Sequence, residues 1–253
     1  MQALFLDGKP WLAADWPPAG RFIAGTTLTA SPLVSEGFNL ARHVADTPER
    51  VAAARTLFTT HLPPDARPLW LSQVHSATVW RAADYQAGCE GDALISHTAR
   101  DVPVVMTADC LPVLLADEAA TVWAAVHAGW PGLHKGILAA TIAAMNVPPA
   151  HLFAWIGPCI RQDNYEVDEP FFQRFATLDA RFAAAFRANR PGHWLADLPA
   201  IARLQLQDAG LPTAQITDCG LCSYADPRFF SHRRNGTQAG RMASFILPRT
   251  PVP

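Results

Sequence analysis

The chain has 253 residues and a mass of 27.4 kDa; 50% of its residues are apolar, 17% are charged, and mean hydropathy is +0.07. That composition can bury a substantial core and excludes disorder over most of the length. Twenty basic against 22 acidic side chains give a formal net charge of −2 and a pI near 6.5, so no global field draws the chain to nucleic acid or an anionic membrane, and any anion site is local.

In chain order, the opening segment MQALFLDGKPWLAADW has no basic leader followed by an apolar run, and no later segment approaches the ~18 uninterrupted apolar residues of a membrane span. A cytoplasmic, monomeric, single-domain protein over residues 1–253 is expected, without nucleic-acid or membrane partners. Residues 21–29 are rich in β-formers and read as a strand, and residues 30–37 as irregular. Thr47-Pro48-Glu49 opens a helix with a hydroxyl cap and proline in the first turn, placing Val51, Ala54, Leu57 and Phe58 on one face. Short β-rich runs follow at 69–74, 78–80, 93–95, 102–106, 113–115 and 122–126. After a glycine turn at 129–132, Leu133, Ile137, Ile142 and Met145 continue as one amphipathic helix, and residues 152–156 form a strand ending at Gly157-Pro158. Residues 169–189 predict one or two helices, residues 200–208 another, and residues 214–217 and 242–247 return to strand. Strands outnumber helices and several adjoin without a helix between them, so the predicted class is α+β (mixed α/β) rather than a regularly alternating βαβ fold.

Three segments place a metal-competent side chain at the end of an apolar β-run: His75 in WLSQVHS, Cys110 in VVMTADCLP and His127 in WAAVHAGW. They lie 35 and 17 residues apart, so they would converge through the fold rather than through a local knuckle. Two imidazoles and a thiolate suit zinc and leave a coordination position open. The same atoms also fit a nucleophilic Cys110 with His127 as its base, or strand ends whose Cys110 is a small buried hydrophobe. Asp109 is either an orienting group beside Cys110 or a turn cap. Gln73, two residues before His75 along a strand, would share its face. Five cysteines spread from Cys89 to Cys222 do not make a disulfide framework, and the lone Cys219-x-x-Cys222 pair reads as structural thiols more readily than as a zinc or redox site. Residues 229–234, with Arg241 beyond, form the most cationic stretch. It could hold a phosphate or simply be a solvated loop. Gly129 and Gly132 precede a helix, where backbone N–H groups can face an anion.

Taken together, NLARHVADTPERV, WLSQVHSATV, TADCLPVLLAD, AAVHAGWPGL, AWIGPCI with YEV following, and FFSHRRNGTQAGRMAS resemble the laccase-domain or multicopper polyphenol oxidoreductase family, also described as purine nucleoside phosphorylases. The resemblance implies mixed β-sheets packed between helices, similar to the catalytic domain of cytotoxic necrotizing factor, and a zinc bound by His75, Cys110 and His127. It implies phosphorolysis of purine nucleosides to base and ribose 1-phosphate, with adenosine deamination at the same site; the partners are then a small-molecule nucleoside and phosphate. Within that frame Asp109 and Cys110 are the catalytic candidates, and Gln73, Arg233, Arg234 and Arg241 the substrate-binding ones. The sequence departs from the family where Pro131 and Ser76 replace an arginine and a glycine, and where the segment from Thr27 to Ser35 lacks the family's arginine. Two cationic groups that could contact phosphate are therefore missing.

The competing readings are copper-dependent phenol oxidation, editing of peptidoglycan precursors, and a catalytically weak module that keeps zinc structurally. Copper would need a weak axial ligand, with Met106 as the candidate, and a multicopper oxidase many more ligands. The nine histidines include no His-x-His pair, which argues against a trinuclear cluster.

Overall fold

A computed structural model describes residues 10–30 and 37–249. In chain order these form β1 (Trp11–Ala13), β2 (Phe22–Thr27), α1 (Pro48–Thr60), β3 (Arg67–Trp70), β4 (Val79–Arg81), β5 (Ala93–Ser96), β6 (Asp101–Thr107), β7 (Leu111–Asp117) and β8 (Trp123–Ala128). There follow α2 (Trp130–His134), α3 (Ile137–Met145), β9 (Leu152–Ile156), β10 (Glu166–Asp168), α4 (Glu169–Leu178), β11 (Phe186–Ala188), β12 (His193–Ala196), α5 (Leu198–Asp208), β13 (Ile216–Asp218), α6 (His232–Asn235) and β14 (Met242–Pro248).

The strands make a five-stranded sheet in the order β1-β2-β14-β6-β3 and a six-stranded sheet in the order β13-β9-β7-β8-β5-β4, with a small three-stranded sheet β10-β12-β11. Both large sheets are mixed: β3 runs parallel to β6, β4 to β5 and β13 to β9, and the other pairs are antiparallel.

The period of two along a strand sorts the side chains into layers. On β7 and β8, Leu111, Val113, Leu115, Ala124, Val126 and Ala128 face the helices, meeting Ile137, Leu138 and Ile142 of α3 and Ile201 of α5. The alternate residues Leu114, Ala116, Trp123 and Ala125 face the other large sheet and meet Phe22, Val105 and Ile246. The far face of the five-stranded sheet is covered by α1, whose Ala54 and Phe58 pack on Val102, Val104, Phe245 and Leu247. Strands buried on both faces need apolar residues at every position, which is why these segments read as continuous apolar runs. The result is helices, six-stranded sheet, five-stranded sheet and helix in four layers, the mixed α+β architecture with sheets packed between helices.

Three local expectations are corrected. The chain leaves the sheet after Trp70, so the run expected to reach Val74 ends four residues earlier. The single helix expected through Met145 is broken at Gly136, whose φ of +81° separates α2 from α3. Phe186, counted with a helical phenylalanine pattern, lies in β11, because α4 stops at Leu178 and the chain turns back to pair with β12. Residues 31–36, within the irregular segment expected at 30–37 and the stretch lacking the family arginine, lie outside the described residues; Ala30 and Gly37 on either side are in no helix or strand.

Candidate metal centre

Residues 71–78 cross from β3 in one large sheet to β4 in the other, and residues 108–110 cross from β6 to β7 in the same sense. His75 lies on the first crossing and Cys110 on the second. His127, the penultimate residue of β8, has the parity of Trp123 and Ala125 and so points into the space between the sheets. The topology thus brings three residues distant in sequence to one end of that space. Their ligand atoms all lie within 4.8 Å of one another, and Cys110 Sγ is 3.6 Å from His75 Nε2. A tetrahedral zinc with a bond of about 2.3 Å to sulfur and about 2.0–2.1 Å to nitrogen puts those two ligands about 3.6 Å apart, so the donor set fits such an ion in both chemistry and spacing.

Backbone conformation sets this up. On the two crossings, His75 has φ +55° and Asp109 has φ +87°, the latter making the tight turn that presents Cys110. Gly129 forms the floor: a Cβ there would stand 2.6 Å from His75 Cδ2 and 3.2 Å from Cys110 Sγ, so only glycine leaves room for both ligands.

The carboxylate of Asp92, fully buried, organises the centre from behind. Its Oδ1 accepts from His127 Nδ1 at 2.7 Å and from the His75 backbone N–H at 3.1 Å, and its Oδ2 accepts from the Ser76 N–H at 2.5 Å and the Ser76 hydroxyl at 2.7 Å. This fixes the His127 ring with a proton on Nδ1, so that Nε2 is the nitrogen that can take a metal once its own proton is displaced. Burial works to raise the Asp92 pKa, but the hydrogen bonds from His127 and Ser76 outweigh it and hold the carboxyl well below its usual range. Burial likewise opposes charge on Cys110 and His127, yet each stabilises the other's ionised form, drawing the thiol down and the imidazole up. The pair is disposed toward the thiolate that a metal requires.

The pocket above, about 260 Å³, is lined by His43, Gln73, Met106, Thr107, His232 and Arg241 together with the three ligands. Arg241 reaches it while donating to the Ala239 and Gly240 carbonyls. His43 is pushed below its usual pKa by partial burial, then by Arg241 and Arg55.

The other expected site residues are placed differently. Gln73 is not in a strand; its amide clamps Met106, accepting from the backbone N–H at 2.7 Å and donating to the carbonyl at 2.8 Å, so it lines the pocket with its polar end already engaged. The Asp109 carboxylate turns away from Cys110 and accepts from the Ser223 hydroxyl, the Ser231 hydroxyl and the Arg233 backbone N–H. It pins the cationic segment to the Cys110 turn. The Arg234 guanidinium is consumed by the carbonyls of Ser223, Tyr224 and Phe229, and Arg233 lies 5.2 Å over the Tyr165 ring and donates to the Glu166 carbonyl. Of the three arginines, Arg241 is the one lining the pocket. Cys222 accepts from the Asn164 amide, and Cys219 packs beside Arg161, away from the three ligands. Met106 Sδ accepts from Arg55, which leaves it poorly placed as an axial ligand. Asp92 and Tyr165 escaped sequence reasoning. Asp92 follows Glu90-Gly91 and reads as a turn residue, and the only signal for it is a lone acid just before a β-run. Burial, then the nearby Cys110, pushes the Tyr165 phenol well above its usual pKa, and Arg233 opposes the shift.

A three-ligand His–Cys–His metal-binding group, open on one side and set at the seam of two mixed sheets, is the class of protein that this fold and site define. The chain belongs to the multi-copper polyphenol oxidoreductase laccase family, whose sequence pattern matches residues 25–249. A Xylella fastidiosa protein named purine nucleoside phosphorylase is 39% identical over 247 residues, covering 92% of this chain and 95% of the relative. The Escherichia coli purine nucleoside phosphorylase YfiH is 39% identical over 242 residues, covering 93% and 97%. Among solved structures, a Neisseria meningitidis protein superposes with a TM-score of 0.89 at 38% identity over 96% of this chain and all of the other. YlmD from Geobacillus stearothermophilus superposes with a TM-score of 0.85 at 26% identity, covering 96% and 98%.

Proposed function

We propose that this chain is a purine nucleoside phosphorylase, with zinc held by His75, Cys110 and His127, that also deaminates adenosine in the same pocket. Its partners are a purine nucleoside and phosphate, and its place is the cytoplasm. The observation that carries the reading is a three-donor centre opening into a pocket lined by His43, His232 and Arg241, in a chain 39% identical over nearly its whole length to proteins named purine nucleoside phosphorylase.

A bound zinc supplies a Lewis acid and a water of lowered pKa, the chemistry that deamination at the purine C6 uses. Phosphorolysis asks something else of the protein: a nucleoside held in one orientation, a phosphate beneath C1′, and donors for charge that develops as the glycosidic bond loosens. Arg241, His232 and His43 line the pocket and supply those donors. Asp109 acts one step removed, by holding the 223–234 segment against the Cys110 turn. Gln73 holds the Met106 wall and contributes to pocket shape rather than to reading the base. The copper oxidase reading is disfavoured by the single group of candidate ligands among the described residues and by the engagement of Met106 Sδ with Arg55.

The test is release of base from adenosine, inosine and guanosine by the zinc-loaded protein, followed with and without phosphate. Release that rises with phosphate and is matched by ribose 1-phosphate supports the reading. No release from any nucleoside, or phenol oxidation by protein that retains copper in preference to zinc, overturns it.

A further inference from the structure

A second cavity, of about 740 Å³, opens beside α1 on the outer face of the five-stranded sheet. Its lining includes Arg42, Arg55, Thr56, Thr59, Thr60 and Trp70, and no carboxylate. Arg55 Cζ lies over the Trp70 ring, 4.0 Å from its centroid; the side chain donates from Nε to the Leu40 carbonyl at 2.8 Å and directs one N–H of its terminal Nη2 at Met106 Sδ at 3.8 Å. A guanidinium has five N–H donors. Three therefore remain without an acceptor among the described residues. Arg42 has neither an ion pair nor a hydrogen bond among the described residues. Several other arginines find a carboxylate, among them Arg161 with Asp218, Arg181 with Asp179 and Asp208, Arg190 with Glu166 and Arg228 with Asp226. Two arginines facing one cavity with no acid in its lining leave that cavity positively charged.

The electrostatics agree. Burial, and then repulsion from Arg42, lowers the Arg55 pKa to about 10, so the guanidinium remains charged at neutral pH in surroundings that disfavour a second cation. An oxyanion between the two relieves both effects. Arg55 is also held in place by Trp70 and the Leu40 carbonyl, which leaves N–H groups that can be offered to a tetrahedral oxyanion. The cavity lies close to the metal pocket. Met106 lines the latter and touches Arg55, and His43 senses both Arg55 and Arg241.

We propose that Arg42 and Arg55 form an anion site for a phosphate-class oxyanion, with the threonines of α1 at its rim. The cation geometry stands by itself. Naming inorganic phosphate as the occupant rests on the reading above, in which this protein consumes phosphate.

The experiment is calorimetric titration of inorganic phosphate into the zinc-loaded full chain at fixed ionic strength, with no nucleoside present. Saturable binding is expected, weakened about tenfold in Arg42→Ala and similarly in Arg55→Lys, which keeps the charge but loses the planar fork. Circular dichroism checks that both variants fold. Arg187→Ala, whose partner is the exposed Asp163, should bind as the unmodified chain does. Absence of saturable binding, or equal affinity in the unmodified chain, Arg42→Ala and Arg55→Lys, overturns the site, as does selective weakening by Arg233→Ala with Arg42→Ala unaffected. Binding that follows this pattern in a protein that turns over no nucleoside supports the site while overturning the phosphorylase reading. Turnover that survives in folded variants with unchanged phosphate binding does the reverse.

Discussion

Asp92 Oδ1 receives the His127 Nδ1 proton at 2.7 Å while the same carboxylate receives the backbone N–H groups of His75 and Ser76. One buried acid therefore aims one ligand by its ring and the other by its loop. Replacing it by Asn keeps the shape but loses the charge and part of the acceptor capacity. Asp92→Asn should lower metal affinity about 10–100-fold, read with added zinc by competition with a chromophoric chelator. Unchanged affinity would show that the ligands need no such support.

Gly129 predicts a more local failure. The added methyl of Gly129→Ala would collide with the His75 ring and crowd Cys110, and neither can retreat without spoiling the ligand geometry. Overpacking of this kind costs about 1–3 kcal/mol, which corresponds to roughly 5–150-fold in an equilibrium constant. Metal content after dialysis should fall sharply while the far-ultraviolet circular dichroism is retained; full metal content would contradict the cradle.

Asp109 is expected to matter for order rather than for proton transfer. Three donors converge on its carboxylate from Ser223, Ser231 and Arg233. Asp109→Asn should cost about 1–3 kcal/mol of stability and raise amide exchange across residues 223–235 while metal binding at His75, Cys110 and His127 is retained. If exchange is unaltered and only the acid limb of the pH–rate profile moves, Asp109 is acting as a proton carrier instead.

The Arg161–Asp218 pair gives a pH prediction remote from the metal. Burial alone would raise the Asp218 pKa, but two hydrogen bonds from Arg161 and one from the Gly220 N–H bring it below the usual value. A depressed folded-state pKa contributes stability that is fully present above the unfolded value, about 3.9, and is lost as pH falls through the folded value. Asp218→Asn should thus destabilise the protein by about 1–3 kcal/mol at pH 7, and the difference from the unmodified chain should shrink below about pH 4. Urea unfolding at several pH values measures this, and a difference independent of pH would refute it.

Much of the fold was legible because strands buried on both faces write themselves as apolar runs, as at Leu111–Asp117 and Trp123–Ala128. The three metal-binding side chains were legible because His and Cys interrupt or end such runs. What failed did so for physical reasons. Gln73 was placed on a face with His75 by a strand rule that lapses where the chain leaves the sheet after Trp70. Phe186 fell into a helical phenylalanine spacing, since the turn that ends α4 is set by packing rather than by a Gly or Pro signal. Arg233 and Arg234 were read by charge, whereas their backbone and carbonyl partners decide where the charge goes. Asp92 was invisible because nothing local distinguishes a buried organising carboxylate from a turn residue.

The two chain crossings that carry His75 and Cys110 join the large sheets, so an ion shared between them and His127 also staples the two halves of the core. Such an ion binds the native state and finds no preformed site in the unfolded chain. By mass action it contributes about 4 kcal/mol when free metal is 1,000 times the dissociation constant, a sizeable fraction of an ordinary domain's net stability. A bound ion would thereby tie the steady-state amount of folded protein to the free-metal level around it, and metal starvation would lower its abundance through turnover of unfolded chains as well as through loss of the centre.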